Sequence, residues 1–463
     1  MAPGPFTKLR NSFPFANRQK RDEVGDAIAA AASTGDVAGS GPTTTEATAP
    51  ASSSSPAYHL NPERAKKYMK NITRFRILVI GRANAGKTTI LQRVCNTVDD
   101  PEIFDGKGNK IDSALVQGSL KRGYHDIKDE FVFRSNPGFV FHDSCGFEAG
   151  SAEQFDNMKS FVVDCAVARS LRERIHAIWY CIPLTDYHRT VTAAELKFFN
   201  ECDTGHVPVI VLLTKADVLN FTAMEELLDD GLEIDEAEEK AVEKERELLE
   251  RWLAHVKGTL DKCKFPPKAI MSVKKMHEET ADCTKLMQYT TNALNEEGLQ
   301  MLLVSTQRSS IALCIEYAVQ RALIPKMGLS TKDRLKLVTK DLEKELLSWF
   351  PNTKLSLEVV NQNLTSPMLL QNATLFGKFP TAQSLVGHAV ACLLIFEHAY
   401  LFLQQGTHTW EKALELTMKK YKKSHTWPTI SKAVKAAFQE HGKDVVGLYE
   451  TIPKIIAENK MSI

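Results

Sequence analysis

The sequence predicts an α/β fold, in which a mostly parallel sheet carries helices on both faces and is followed by an all-α C-terminal domain. Three observations support this prediction. Short apolar runs rich in β-branched residues alternate with helical patterns over residues 73–300, a glycine-containing loop joins the first run to the first helix, and every pattern after residue 300 is helical. Strands that alternate with helices pair in parallel and bury both faces of their sheet.

The composition is that of a soluble globular protein. The chain has 463 residues, of which 43% are hydrophobic and 25% charged, and its net charge is +1. This charge gives no general attraction to polyanions, so a nucleic acid partner is not expected. The nine cysteines lack CxxC or Cys/His spacing, which argues against a structural zinc site and favours a reducing compartment. We therefore expect a cytoplasmic protein.

The N-terminal region differs from the rest, and residues 1–60 are predicted to be a disordered tail. Residues 27–57 are almost all Ala, Ser, Thr, Gly and Pro, and such a segment buries too little apolar surface to offset its ordering entropy. The first 21 residues contain five basic side chains and no acidic one: Lys8, Arg10, Arg18, Lys20 and Arg21. A solvated basic tail and a mitochondrial presequence are the two interpretations.

The strands are predicted in order along the chain. The first is "RFRILVI", and further buried runs lie at 138–143, 175–182, 207–214 and 268–273. The helical patterns between them include "AEQFDNMKSFVVDCAVARSLRERI" and "TAAELKFFNEC". One pair departs from parallel order, because "HDIKDEFVF" and "GFVFHD" are joined by the short link "RSNPG", which predicts an antiparallel hairpin.

The loop after the first strand carries the strongest chemical signal, because "GRANAGKT" fits GxxxxGK[ST] between a strand and a helix. Its glycines allow backbone N–H groups to surround a phosphate, Lys87 reaches the β- and γ-phosphates, and the Thr88 hydroxyl binds Mg²⁺. Lys87 is also a catalytic candidate. The predicted nucleotide-binding residues here are Gly81, Arg82, Ala83, Asn84, Ala85, Gly86, Lys87, Thr88 and Thr89.

Two later motifs complete the predicted site. "DSCG" ends a strand, so Asp143 is the candidate Mg²⁺ carboxylate and the N–H of Gly146 the candidate sensor of the γ-phosphate. "TKAD" ends another strand and contains Thr214, Lys215 and Asp217. The carboxylate of Asp217 accepts hydrogen bonds from N1–H and the exocyclic amine of guanine, whereas adenine lacks that amine and has an acceptor at N1. The motif therefore favours GTP and GDP over ATP.

On "GRANAGKT", "DSCG" and "TKAD", residues 73–300 resemble the translation-factor-related class of P-loop GTPases, the TRAFAC or Ras-like G domains. Within that class the loop and "HDSCGFEAG" look most like uncharacterised fungal G-domain proteins. The resemblance implies a P-loop NTPase G domain that binds GTP and GDP with Mg²⁺. It also implies a base-supporting loop, for which the sequence offers Ser272, Val273 and Lys274.

The resemblance leaves the catalytic details open. The switch I hydroxyl is assigned to Ser119, with Ser113 as the alternative and no hydroxyl from this loop as the third interpretation. Phe147 follows "DSCG" where Ras-like enzymes often place a water-orienting glutamine. Glu148 is a candidate for that role or a helix-initiating acid. Asn84 is a candidate K⁺ ligand or a polar loop residue, and Arg82 a charge near the phosphates or a solvated side chain.

The domain organisation follows from these patterns. The G domain is expected over 61–300, with a long acidic helical insertion at 222–262 whose C-terminal half packs through Leu248, Leu249, Trp252, Val256 and Leu260. The first interpretation of the insertion is a solvated helix without a binding role. The alternative is a helix whose acidic face binds a partner protein. Residues 301–463 form the helical domain.

The apolar segment 384–403 is long enough to span a bilayer, but it contains His388, Glu397 and His398, so a buried core helix is predicted. The lysines of 419–423 favour a solvated helix end, with contact to an anionic membrane as the alternative.

The predicted function is a Mg²⁺-dependent GTPase that acts as a nucleotide-state switch with weak intrinsic hydrolysis. The alternatives are a nucleotide-gated binding or scaffold module without turnover and a membrane-associated GTPase. The predicted partners are guanine nucleotide and an unidentified effector or activator, and a homodimer through the nucleotide face is a further option.

Overall fold

The computed structural model describes residues 74–111, 126–144, 152–168, 173–185, 190–330, 342–351, 381–404, 409–424, 426–442 and 444–460. All of these belong to one compact unit, His59–Ile463. The predicted tail over 1–60 and the predictions for Ser113, Ser119, Gly146, Phe147 and Glu148 lie outside the described residues.

The strands form one eight-stranded mixed sheet in the order β3-β2-β4-β5-β1-β6-β7-β8. Their bounds are β1 Phe75–Gly81, β2 Glu102–Phe104, β3 Lys110–Ile111, β4 Glu130–Val132, β5 Phe139–Asp143, β6 Ala177–Pro183, β7 Val209–Thr214 and β8 Ala269–Ser272. β1 pairs in parallel with β5 and β6, and β7 pairs in parallel with β6 and β8. β4 is antiparallel to β5, which confirms the predicted hairpin. β2 and β3 were not predicted, since strands of two or three residues are too short to show a periodicity.

The helices that accompany the sheet lie between its strands along the chain, except for the last, which follows β8. They are α1 Lys87–Val94, α2 Ala152–Val167, α3 Ala193–Glu201, α4 Val218–Asp229, α5 Ile234–Leu260 and α6 Thr284–Ala293. α2 ends eight residues before the predicted helical pattern does, at Val167 rather than at residue 175. α3 begins with a capping box, in which Thr192 and Glu195 satisfy backbone donors reciprocally.

The acidic insertion is a helical hairpin rather than a single helix. α4 already begins at Val218, and α5 returns along it after a short turn. The predicted packing of the C-terminal half of α5 is confirmed, because Leu248, Val256 and Leu260 are buried in the core under the sheet. The N-terminal half also packs, since Ala237 and Ala241 form a small separate core with Leu227 of α4.

The C-terminal region is helical, as predicted. Its described elements are α7 Glu297–Thr306, α8 Ile311–Tyr317, a π-helical segment Ala318–Leu323, α9 Ile324–Met327, α10 Leu342–Leu347, α11 Ala382–Gln404, α12 Trp410–Lys423, α13 Thr426–His441 and α14 Val445–Glu458. Among the described helices, only α11 is long and apolar enough to cross a membrane, and 89% of its most apolar window is buried inside the protein. α11 is thus buried as expected for the core helix that its polar residues predict.

The sheet separates two hydrophobic cores. Alternate side chains of a strand point to opposite faces, and Ile77 and Val79 accordingly join one core whereas Leu78 and Ile80 join the other. The core that contains Val79 continues through α6–α8 into α11–α14, so the C-terminal helices cover one face of the sheet directly. The predicted domain boundary at residue 300 stays a prediction.

The C-terminal region also fixes the hairpin that leads to the candidate metal ligand. The Asn136 side-chain amide donates to the Thr306 carbonyl at 2.9 Å, and Arg308 Nη1 donates to the Ser135 carbonyl at 2.7 Å. The Tyr400 hydroxyl of α11 in turn donates to the Arg308 carbonyl at 3.3 Å. The turn between β4 and β5 is therefore bonded to the end of α7 and to the loop after it, more than 150 residues later in the chain. The predicted fold class is confirmed.

Candidate functional site

The glycine-containing loop lies where the sequence predicts it, between β1 and α1. Gly81 has φ +154°, and a Cβ there would lie 2.5 Å from the carbonyl oxygen of Cys181 on β6, so only glycine allows this close approach. Gly86 precedes α1 in the left-handed region, at φ +81°, as does Asn84 at φ +58°. No side chain caps the N-terminus of α1, and its first turn carries no acid. Its N–H groups and helix dipole therefore favour an anion.

Lys87 brings the phosphate loop and the candidate metal carboxylate together. Its Nζ donates to the carbonyl oxygens of Gly81 at 3.1 Å and Arg82 at 3.3 Å, and it lies 3.8 Å from Oδ1 of Asp143. Asp143 reaches this position because β5 runs parallel to β1, with Val79 opposite Asp143. The Lys87 side chain is only 9% exposed. A buried ammonium beside a carboxylate is suited to a ligand that carries several negative charges and a divalent cation.

Thr214 bonds to the phosphate loop on its buried side. Its hydroxyl donates to the carbonyl of Ala85 at 2.8 Å, and both residues are buried. The first residue of "TKAD" thus contacts the loop of the first motif, although the two lie 129 positions apart. Ala83, Asn84 and Thr88 are exposed, and Thr89 is half-buried. The loop is therefore bonded to the core on one side and open to solvent on the other.

The Arg82 side chain is largely buried and hydrogen-bonded, so the interpretation of Arg82 as a solvated side chain is wrong. Its Nε donates to Oε1 of Glu195 at 3.0 Å, and its Nη2 donates to the Thr190 carbonyl at 2.8 Å. Glu195 is buried and is the same residue that forms the capping box of α3, with Thr192 as its partner. Nothing in the sequence shows that this carboxylate also pairs with a residue 113 positions earlier.

His142 is a buried histidine next to Asp143, the candidate metal carboxylate. Burial, together with the nearby Arg76, lowers the pKa of His142 to about 4. Its Nε2 lies 3.3 Å from Arg76 Nη1, and its Nδ1 lies 3.2 Å from the Ile127 carbonyl. A neutral imidazole with the proton on Nδ1 satisfies both contacts, because Nε2 then accepts from Arg76 and Nδ1 donates to the carbonyl. Arg76 also pairs with Glu130 at 2.7 Å.

The structure places the two predicted base-reading segments side by side at the carboxyl ends of β7 and β8. The Ala216 N–H donates to the Val273 carbonyl at 3.2 Å, and the Lys275 N–H donates to Oδ1 of Asp217 at 2.9 Å. Asp217 is also the residue immediately before α4. The Asp217 carboxylate is therefore oriented by the backbone of the loop that the sequence predicts to support the base.

Lys275 is a site residue that sequence reasoning missed. The predicted loop was Ser272, Val273 and Lys274, yet the N–H that contacts Asp217 belongs to the following residue. Lys275 has φ +54°, and Lys215 of "TKAD" has φ +56°. Among the described non-glycine residues, four have a positive φ, and three of these (Asn84, Lys215 and Lys275) lie in the candidate site. Residues with such strained backbone conformations cluster at functional sites. The backbone angle of a lysine cannot be read from a sequence, so Lys275 was missed.

The remaining predicted members are placed only in part. Ser272 ends β8, Val273 is buried and donates to the Leu213 carbonyl at 2.9 Å, and Lys274 is exposed. Within the described ranges, no three His, Cys, Asp or Glu side chains gather as a metal cluster. The Ser144 hydroxyl, next to Asp143, is buried and makes no hydrogen bond within the described part of the chain.

No protein-family model matches the chain, and no curated protein matches it. One similar solved structure is a GTP-binding protein from the hyperthermophilic archaeon Sulfolobus solfataricus in complex with GDP. It shows 14% identity and a TM-score of 0.26, over 50% of this chain and 55% of that chain.

Two further matches are glycine-to-serine and glycine-to-proline variants of a protein called SsGBP. Both show 13% identity and a TM-score of 0.25, over 50% and 52% of this chain and 60% and 65% of theirs. The chain thus matches between 55% and 65% of the length of these proteins. At such low TM-scores the matches carry no argument about function, and they do not support the likeness to fungal proteins, which stays a prediction.

Proposed function

We propose that this protein binds GTP and GDP with Mg²⁺ and hydrolyses GTP slowly, as a nucleotide-state switch. The observation that carries the proposal is the assembly of two sets of residues at one edge of the sheet. Lys87 and Asp143 lie 3.8 Å apart beside the phosphate loop, and Asp217 is oriented by the N–H of Lys275 at 2.9 Å. The residues proposed for polyphosphate binding and for base recognition thus lie at the carboxyl ends of the parallel strands, where ligands of open α/β sheets bind.

The donor set at the phosphate loop fits a nucleoside diphosphate or triphosphate. The uncapped N-terminus of α1 offers backbone N–H groups, and the Lys87 ammonium supplies the charge. Lys87 is already held by two carbonyl oxygens, so it reaches phosphate oxygens without a large loss of side-chain entropy. The same residue is the proposed catalytic cation that stabilises negative charge on the transferred phosphoryl group.

The base end fits guanine. The Asp217 carboxylate accepts one hydrogen bond from Lys275 and retains acceptor capacity for two donors of the base. Guanine offers those donors at N1 and at its exocyclic amine, whereas adenine offers an acceptor at N1. An adenine base would not supply these two donors, so the remaining acceptor positions of the carboxylate would lose water without gaining hydrogen bonds from the base.

The residues that would hold Mg²⁺ are Thr88, an exposed residue in the first turn of α1, and Asp143 at the end of β5. Oxygen donors are the ligands that Mg²⁺ prefers, and it usually keeps several waters and adds phosphate oxygens. When bound, Mg²⁺ would neutralise charge on the phosphates. Ser119 as a third hydroxyl and Asn84 as a K⁺ ligand remain parts of this proposal.

We propose a slow rate because of the sequence after Asp143. Phe147 stands where a polar side chain would orient the attacking water, and a phenyl ring accepts no strong hydrogen bond. Loss of an orienting group lowers the rate more than the affinity, because phosphoryl transfer depends on positioning and charge stabilisation. Glu148 or an activating partner would then supply the orientation.

The test compares binding of GTP, GDP and ATP by calorimetry, with phosphate release, for the wild type, Lys87→Ala and Lys110→Ala. Lys110 is an exposed lysine of β3 that pairs with Glu102, so it controls for the loss of one positive charge. We expect GTP and GDP to bind, ATP to bind far more weakly, and Lys87→Ala alone to abolish binding. Equal affinity for ATP would overturn the guanine assignment, and unchanged binding by Lys87→Ala would overturn the role of the loop.

A nucleotide-gated binding module without turnover is the second candidate. It is favoured by the direct packing of the C-terminal helices on the sheet and by the bonds of Asn136 and Arg308, which join the hairpin ending at Asp143 to those helices. Such a module would retain GTP stoichiometrically, and a single-turnover experiment would then show no phosphate release over hours.

A further inference from the structure

We propose that Glu245, on the acidic insertion helix α5, is a positioning residue that orients the base-reading carboxylate of Asp217. The inference rests on the proposed function and assigns part of its guanine specificity to a helix outside the nucleotide-binding motifs. Two sets of contacts carry it, one on each side of the base-reading loop.

Glu245 contacts both segments that meet at the base end. Its Oε1 lies 3.4 Å from the Nζ of Lys274, in the loop after β8. Its Oε2 accepts from the side-chain amide of Asn220, on the first turn of α4, at 3.3 Å. Asp217 is the residue immediately before α4, so Asn220 and Asp217 belong to one rigid turn. One carboxylate thus bridges the helix that carries Asp217 and the loop that orients it.

The contact between Glu245 and Lys274 is one peptide unit away from the N–H that binds Asp217. Lys274 pairs with Glu245, and the next residue, Lys275, donates its N–H to Oδ1 of Asp217 at 2.9 Å. Lys275 holds a left-handed conformation, with φ +54°, that a lysine adopts only when its surroundings impose it. Anchoring the preceding side chain restricts this peptide, and with it the direction in which the Asp217 carboxylate points.

Glu245 differs from the other acids of its helix. Its side chain is 17% exposed, whereas that of Glu243, two residues earlier, is 63% exposed and pairs, within the described residues, with Arg246 on the same helix. Most acids of α5 face solvent, as a solvated helix requires. Glu245 instead faces the base end, because α5 runs back along α4 toward the loop after β8.

The expected effect is a loss of discrimination rather than of folding. Lys274 is 60% exposed, and ion pairs with an exposed partner contribute little to global stability. Guanosine and inosine diphosphates carry the same charge, but inosine lacks the exocyclic amine that Asp217 would recognise. The ratio of their affinities therefore reports the orientation of Asp217 and cancels any long-range effect of the charge of Glu245 on the phosphates.

The test measures this ratio by calorimetry in the full chain for the wild type, Glu245→Gln and the control Glu243→Gln. We expect Glu245→Gln to reduce the preference for guanosine diphosphate about threefold, with an unchanged thermal unfolding midpoint, and the control to match the wild type. A wild-type ratio in Glu245→Gln with intact GDP binding would overturn the inference and leave the proposed function standing. Failure of the wild type to bind guanine nucleotides would overturn the proposed function and the inference together.

A double-mutant cycle adds a second criterion that does not depend on the folding of one variant. Lys274→Gln and the double variant complete the cycle with Glu245→Gln. If Glu245 acts through Lys274, the double variant loses no more discrimination than either single variant. Additive losses would overturn the proposed path from Glu245 to Asp217.

Discussion

At the phosphate end of the candidate site, Lys87 and Thr214 are buried and bond to carbonyl oxygens of the loop itself. At the base end, Lys274 and Lys275 are exposed, and their geometry depends on carboxylates from other elements, Glu245 and Asp217. The conformation of the phosphate end thus depends on buried hydrogen bonds that Lys87 and Thr214 donate to carbonyl oxygens of the phosphate loop. The base end is shaped by exposed contacts among three separate segments.

The difference indicates which end is the more adjustable. Hydrogen bonds that are buried cost more to break than exposed ion pairs, which solvent screens and replaces. We therefore expect the phosphate loop to keep its form whether or not nucleotide is bound, and the base end to respond to substitutions in the insertion. Four predictions test this contrast, from the largest effect to the smallest.

Asp217→Asn should change the base specificity. The amide replaces one acceptor by a donor, so guanosine diphosphate should bind more weakly by about 4 kcal/mol, the worth of two hydrogen bonds to a charged group. Xanthosine diphosphate has a carbonyl at the position of the guanine amine, so it should bind the variant better than the wild type. Calorimetry with both nucleotides measures the exchange. The exposed Asp230→Asn serves as the control, and a variant that still prefers guanine would contradict the role of Asp217.

Acid should destabilise the folded protein through His142. Burial and Arg76 lower its folded pKa to about 4, below the unfolded value of about 6.5. The unfolded state then binds more protons, so this contribution is fully present above pH 6.5 and is lost as pH falls toward 4. It amounts to about 3 kcal/mol. Urea unfolding at several pH values measures it.

His142→Asn should flatten the pH dependence of unfolding in that window, whereas His206→Asn, at an exposed histidine, should not. Parallel pH profiles for the wild type and His142→Asn would show that His142 is not the group responsible.

Thr214→Val should loosen the phosphate loop without altering base specificity. Valine has the same shape but leaves the buried Ala85 carbonyl without its donor, a cost of about 1.5 kcal/mol. Guanosine and inosine diphosphates should weaken to the same degree, roughly tenfold. Thr204→Val, which removes a similar hydroxyl–carbonyl bond next to β7, is the matched control. A loss confined to guanosine diphosphate would instead place Thr214 at the base end.

Lys275→Gly and Lys275→Val should separate backbone strain from side-chain chemistry. Glycine adopts φ +54° freely and keeps the N–H that reaches Asp217, so affinity for guanosine diphosphate should be preserved. A β-branched valine is strained at this φ, and affinity should fall by about 1 kcal/mol. If both variants lose affinity equally, the lysine side chain rather than the backbone N–H is what the base end requires.

The sequence by itself determined six of the eight strands that the structure describes, the phosphate loop and the chain positions of Asp143 and Asp217. These features are local, since a buried strand shows its apolar run and the glycines, lysine and hydroxyl of the loop occupy fixed spacings. Parallel order then places the ends of all such strands at one edge of the sheet, which is why Lys87 and Asp143 meet as expected.

Only the tertiary structure decided which side chains hold these motifs in place. Arg82 pairs with Glu195 across 113 positions, Thr214 bonds to Ala85 across 129, and Lys275 orients Asp217 across 58. β2 and β3 were missed because they are too short to show a periodicity, and the two-helix form of the insertion was missed because it depends on tertiary contacts of α5 with α4. Such contacts have no period or spacing in the chain, because they arise where separate elements happen to pack, and packing depends on the three-dimensional position of every element at once.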